Sequence, residues 1–600
     1  MQPNILLAKL TVSGVIASSC LTAGVLFAEP ADKYFDPLLA PRTICGPAKN
    51  GQPPLLRALV MTAAETAPFR PEQRKADAPR LGAPPLYTNL GTLHFKVATK
   101  SPRAQAYFDQ GIRLMFAFNH GEARRAFINA QKIDPACAMC FWGEALVLGP
   151  NINAPMFPEA VAPAVETARK AATLSTAANP MERALINALT QRYSEDPKAE
   201  RAALDKAYAN AMADAAREFR REDTVQVLFA EALMDLSPWD YWEAAGAKPK
   251  GRTAETIDAL ERVLERNPTH PGAIHYYIHT MEASSKPDKA LPYARTLGQL
   301  MPGAGHIVHM PAHIYYRVGL YKESLAANRA AIAADERYFA KEPSDPLYKG
   351  AYYPHNIHFV MVSALMGGDG KSALEAAAKL DRVLDPVFVE TLPPMQTVKA
   401  ASYFSHVQFS EPDTILSLPD PGKQFILVNA MWHYARSVAF SRKANFSAAQ
   451  KEIGILESIE RDGDLTALTK WDIPGKEIVQ TARLVALGRL ADARGDKAAA
   501  VKAYEVAVFL QDALPYTEPP HWYYPVRQSL GAALLRAGRI DDAEKAFRES
   551  LAQTPSNGWA LRGLIEVYRT RGDMPALRAA QNKFDTTWLG AKSGPALPLL

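Results

Sequence analysis

The feature that most constrains this chain is a fixed order of small and large apolar residues that returns along its length. In the first clear unit Tyr107, Gly111, Ala123, Phe127, Ala130 and Pro135 fall at the positions of a 34-residue helical hairpin. Each residue type has a physical reason. Gly111 and Ala123 let two antiparallel helices approach closely, Tyr107 and Phe127 fill the space between neighbouring pairs, and Pro135 cannot continue a helix. The order returns at Ala290, Ala294, Leu297 and Pro302, then at Gly319, Tyr321, Ser324 and Ala331, then at Gly368, Gly370 and Ala373. Further units follow at Gly495, Ala500, Tyr504 and Ala507, at Gly538, Ala543, Phe547 and Pro555, and at Gly572 with a degenerate ending. Weaker hairpins fit 182–235 and 425–458. No single hairpin buries its own faces, so such units stack into one curved core, which suits a chain of 600 residues.

The expected organisation follows. Residues 1–28 read as a secretory signal: Lys9 is followed by the uncharged run Leu10 to Ala28, which Glu29-Pro30 breaks. Cleavage is expected after Ala28; retention as an anchor, or lipid attachment at Cys20, are the alternatives. Residues 29–100 form an irregular arm rich in proline and glycine, 101–380 an N-terminal solenoid, 381–424 a proline-rich connection, 425–585 a C-terminal solenoid and 586–600 a tail. No transmembrane segment is expected in the mature chain, which is placed in the periplasm or secreted. A net charge of only +5, with no basic stripe, argues against nucleic acid as a partner.

The chain resembles the tetratricopeptide-repeat superfamily over most of 101–585. It is also similar to a group of exported bacterial repeat proteins of unassigned activity. That second resemblance is carried by Phe118-Asn119-His120, by Cys137-Ala138-Met139-Cys140-Phe141-Trp142-Gly143, by Leu148-Gly149-Pro150-Asn151-Ile152-Asn153, by the paired histidines described next and by His521-Trp522-Tyr523-Tyr524-Pro525. The resemblance implies an all-α, tetratricopeptide-type superhelix and an exported location. It implies no activity, because fold alone does not give function.

Seven of the thirteen histidines lie between 275 and 358. His275 and His279 are four apart on one helical face; His306, His309 and His313 are spaced three and four; His355 and His358 are three apart. His309 stands 34 residues after His275, and His313 stands 34 after His279. Both pairs therefore occupy positions five and nine of adjacent first helices. His358 falls at position five of the next unit, with His306 and His355 at position two. By the superfamily's geometry these positions line the concave groove, and helices 8–10 Å apart bring their imidazoles together.

Three readings remain open. A transition metal (Cu, Zn or Fe) suits neutral imidazoles and needs three or four of them, so seven imply a second ion or spare groups. Such a metal would serve oxidation or hydrolysis, or be stored and delivered. Alternatively the groove is a non-enzymatic scaffold for a peptide, an envelope protein or a small molecule. Lastly, the rings are structural. Glu282, at position twelve, is the nearest carboxylate and a candidate ligand or general base. Met281 and Met310 favour copper if they face inward, and core if they do not; Tyr276, Tyr277, Tyr315 and Tyr316 read mainly as repeat packing.

Other features are weaker. Cys137 and Cys140 start a helix as a CxxC, which reads as a disulfide, as buried thiols, as a redox pair or as half of a metal site with His94 or His120. With Cys45 they leave an odd number in the mature chain. Asn151 and Asn153 read as caps or ligand contacts, and His521 to Tyr524 as a cover over the groove or a packing cluster. No phosphate-binding glycine loop, nucleophile elbow or HExxH occurs.

Overall fold

The computed structural model describes residues 83–600 apart from 197, 343–346, 385 and 392. The signal segment, Cys45 and the arm as far as 82 lie outside the described residues. The chain is all-α: among the described residues the strands are one two-residue ribbon, Trp242–Glu243 against Lys248–Pro249. No helix there is long and apolar enough to cross a membrane.

The first hairpin shows how the repeat works. Helices α1 (Pro102–Phe116) and α2 (His120–Ile133) start on side-chain caps, Ser101 accepting from the Ala104 amide and Asn119 from that of Glu122. A Cβ on Gly111 would lie 2.5 Å from the Phe127 ring, and one on Gly143 would also collide with it. Glycine at both places lets one phenyl ring serve two neighbouring helices. The described part of the arm packs here too, with Leu90, Phe95 and Val97 buried in the same core.

Four elements carry the histidines: α3 (Pro271–Met281), α4 (Gly305–His309), α5 (Pro311–Arg317) and α7 (Tyr353–Gly367), which a π turn (Tyr348–Tyr352) precedes, with α6 (Tyr321–Phe339) as the second helix of the middle hairpin. One apolar core runs from Leu90 to Tyr352, and another from Ala312 to Leu600. They overlap at α5 and meet where the π turn runs into α7, so the histidines sit at the joint.

The array curls until distant repeats touch. The Trp559 indole donates to the carbonyl of Leu365 at 3.0 Å, and the Leu589 amide to that of Gly367 at 2.8 Å. The stretch expected as a proline-rich connection holds four short helices, Pro386–Thr391, Met395–Ala400, Ser402–Phe409 and Pro412–Leu416. The tail packs inward as well. Arg489 donates to the carbonyls of Pro598 (2.8 Å) and Leu599 (3.1 Å), and Leu600 is buried.

Candidate metal centre

All seven clustered histidines are at most 2 % exposed. The open groove expected from the repeat geometry is therefore an enclosed chamber, because the curled array and the segment around 516–523 cover it. Within it six of the seven converge as two sets. The ring nitrogens of His275, His279 and His306 offer ligand atoms within 4.8 Å of one another, and so do those of His309, His313 and His355. The two sets have the same construction: positions five and nine of one repeat, and position two of the next. His358 occupies position five of a third repeat whose position nine is Val362, so no third set forms there. Its ring instead packs edge-on to Tyr523, with centroids 5.2 Å apart.

Local structure aims these rings. Pro311 interrupts the amide ladder between α4 and α5, yet the chain stays near-helical through Met310, which keeps His306, His309 and His313 on one face. Phe118 takes a left-handed backbone (φ 54°) in the turn between α1 and α2. That conformation is costly for an aromatic residue. It lays the ring against His275, His279 and His306 at centroid distances of 4.5, 6.0 and 5.2 Å. Phe359 does the same for His309, His313 and His355 at 5.1, 4.8 and 5.1 Å.

Outer partners decide which nitrogen each ring presents. Nδ1 of His275 lies 2.6 Å from the carbonyl oxygen of Phe116. A carbonyl only accepts, so this Nδ1 carries the proton and Nε2 holds the lone pair. Nδ1 of His309 lies 2.6 Å from Oδ1 of Asn328, whose amide nitrogen already donates to the Ser324 carbonyl. The same tautomer follows. Glu282 reaches both sets: Oε1 is 2.8 Å from Nδ1 of His279, and Oε2 is 2.6 Å from Nδ1 of His313. The first contact is a hydrogen bond and the second an ion-pair contact; when ionised, Glu282 holds the His279 proton outward, the outer-shell arrangement that orients metal-ligating histidines.

The inner side is left unmatched. Nε2 of His309 and His313 face each other at 2.8 Å, and Nε2 of His275 and His306 at 3.0 Å. Nδ1 of His309 is committed to an outer acceptor, so its Nε2 turns a lone pair toward His313. Nε2 of His279, Nδ1 of His306, Nδ1 of His313, both nitrogens of His355 and Oε2 of Glu282 have no hydrogen-bond partner. Each buried polar atom left so costs roughly 1–3 kcal/mol. A cation satisfies such lone pairs, and three imidazoles with an open position fit zinc, copper or iron. Nitrogens bound to one tetrahedral ion at about 2.0–2.1 Å stand roughly 3.3 Å apart, so the facing pairs open by about 0.3–0.5 Å to admit one.

The electrostatics agree. Burial pushes His275 down to about 3 and His313 to about 4, and holds His279, His306, His309 and His355 well below the ordinary imidazole value, aided by mutual repulsion of their protonated forms. All are neutral, lone-pair donors at neutral pH. Burial raises the Glu282 carboxyl well above the usual range. A nearby cation favours its ionised form.

Several contributors are invisible in local spacing. Burial beside Glu282 raises Glu518 to about 7; its Oε2 lies 4.0 Å from Nδ1 of His313, and Arg317 and Tyr516 contact it. Tyr348 bridges Asp335 and the backbone amide of His306, and Asn356 donates to the same Asp335 at 2.8 Å. Met281 and Met310 belong to the apolar core. Cys137 and Cys140 are joined as a disulfide. His94 pairs with Asp109 and His120 lies beside Asn151, so neither joins the cysteines in a ligand group among the described residues. The indole of Trp239 donates to Asn153 and to the carbonyl of Ile152. His521 to Tyr524 is mainly a packing cluster, in which Trp522 and Tyr523 lie against Phe404.

Comparison with known proteins bears on the build. No curated protein matches the sequence. Solved structures similar to it include human IFIT1 bound to PPP-AAAA, 11 % identical over 91 % of this chain and 98 % of that one with a TM-score of 0.27. Yeast Tom70 is 11 % identical over 82 % and 93 %, with a TM-score of 0.27. The P58(IPK) TPR domain is 14 % identical over 61 % and 93 %, with a TM-score of 0.17. Scores this low say nothing of ligand or partner. Residues 525–567 match the tetratricopeptide repeat family model. With that matched repeat, the array of stacked helical hairpins is a tetratricopeptide-type solenoid.

Proposed function

We propose that this protein binds a transition metal through His275, His279, His306, His309, His313 and His355, outside the cytoplasm, and uses it for oxidation or hydrolysis. The observation that carries this reading is the set of buried imidazole nitrogens facing one another with outer acceptors fixing their tautomers. The Cys137–Cys140 disulfide supports an oxidising compartment. Glu282 acts as an orienting outer carboxylate rather than as a general base, since both its oxygens face ligand Nδ1 atoms.

A pocket of about 330 Å³, lined by Asn119, Gly305, Asp335, Tyr338, Lys341 and Tyr348, adjoins the chamber. Tyr348 hydrogen-bonds the backbone of His306. A small polar molecule held there lies one side chain from the nearer set, which favours turnover over storage. A peptide docked on the histidines themselves is disfavoured by their burial. The test is elemental analysis of protein reconstituted with Cu, Zn and Fe in turn: near-stoichiometric metal is expected, and less than ~0.3 ion per chain for every metal overturns the reading.

A further inference from the structure

We infer that the chamber is a binuclear centre that holds two transition-metal ions, one in each histidine set. The inference rests on the metal-binding reading above and goes beyond it in the number of ions. Two observations carry it.

The first is duplication. Each set draws positions five and nine from one repeat and position two from the next, so whatever geometry favours an ion in one favours it in the other. The sets adjoin: ring centroids are 5.7 Å apart from His279 to His313 and 5.9 Å from His306 to His309. Glu282 touches a ring of each set and so couples them.

The second is donor chemistry. Each set offers three neutral imidazoles and no thiolate, with Phe118 and Phe359 as apolar walls. Neutral imidazole suits copper, zinc, iron and nickel, so each set is a transition-metal donor set, and copper serves as the probe.

His355, with both nitrogens unpartnered, completes the second set. Were one ion enough, that ring would have no evident task.

The experiment loads the full chain with copper(I) anaerobically, removes excess and counts metal. About two copper ions per chain are expected. His355→Gln is expected to hold about one copper. His279→Gln, in the other set, serves as a second variant if the first misfolds by circular dichroism. One copper per wild-type chain, or two still held by both variants, overturns the paired site while leaving metal binding intact. No metal of any kind removes the reading on which the inference rests.

Discussion

Replacing Glu282 by Gln tests the outer shell most sharply, because that carboxylate serves both histidine sets. Its two oxygens lie 2.8 and 2.6 Å from Nδ1 of His279 and His313. Glutamine keeps the shape but offers one oxygen and one amide nitrogen. The ring facing the oxygen keeps its tautomer. The ring facing the amide nitrogen must accept there, so its proton moves to Nε2 and its lone pair leaves the centre. One binding step is therefore expected to weaken by the 10–100-fold typical of a lost outer-shell partner, or about 1.4–2.8 kcal/mol. The other weakens less, through the lost charge alone. Competition titration against a chromophoric copper(I) chelator resolves the two steps. Glu282→Ala, which removes both acceptors, is expected to weaken both. If Glu282→Gln folds normally and both steps stay within about threefold of wild type, the tautomer argument is wrong.

Other outcomes follow from the same coordinates. His358→Gln is expected to leave metal content unchanged, since that ring packs on Tyr523 outside both sets, whereas His313→Gln lowers it; elemental analysis of the two variants decides. The metal-free protein is expected to lose stability as pH falls from about 6.5 toward 4. The unfolded imidazoles take protons that the folded ones, held down to about 3 at His275 and about 4 at His313, refuse; each such ring costs roughly 2 kcal/mol at pH 5. Glu518 and Asp335, raised to about 7, act in the opposite sense, regaining stability as pH falls from 7 toward their unfolded values. The clustered imidazoles outnumber them, so urea denaturation at pH 5 and pH 7 is expected to show the lower midpoint at pH 5; a higher one refutes the burial argument. Gly111→Ala is expected to cost about 1–3 kcal/mol by overpacking against Phe127, read from the same denaturation curves.

The repeat period was legible in the amino-acid sequence because it is a local, one-dimensional signal. A proline that ends a hairpin and a glycine under a phenyl ring act within one unit, so Gly111, Phe127 and Pro135 announce it wherever it occurs. The register of His275 with His309, and of His279 with His313, was legible for the same reason. What spacing could not convey is which rings meet. The pairing of position two with positions five and nine of the preceding repeat depends on how adjacent hairpins lean. The exclusion of His358 depends on Val362 standing where a partner is needed. Enclosure of the chamber depends on curling over hundreds of residues, which brings Glu518 and Tyr516 to Glu282 and Arg317 and fills an expected groove. Backbone acceptors such as the Phe116 carbonyl carry no side-chain signature at all. Helical hairpins are specified by near neighbours in the chain; the chemistry of a buried centre is specified by neighbours in space, and only the folded superhelix decides those.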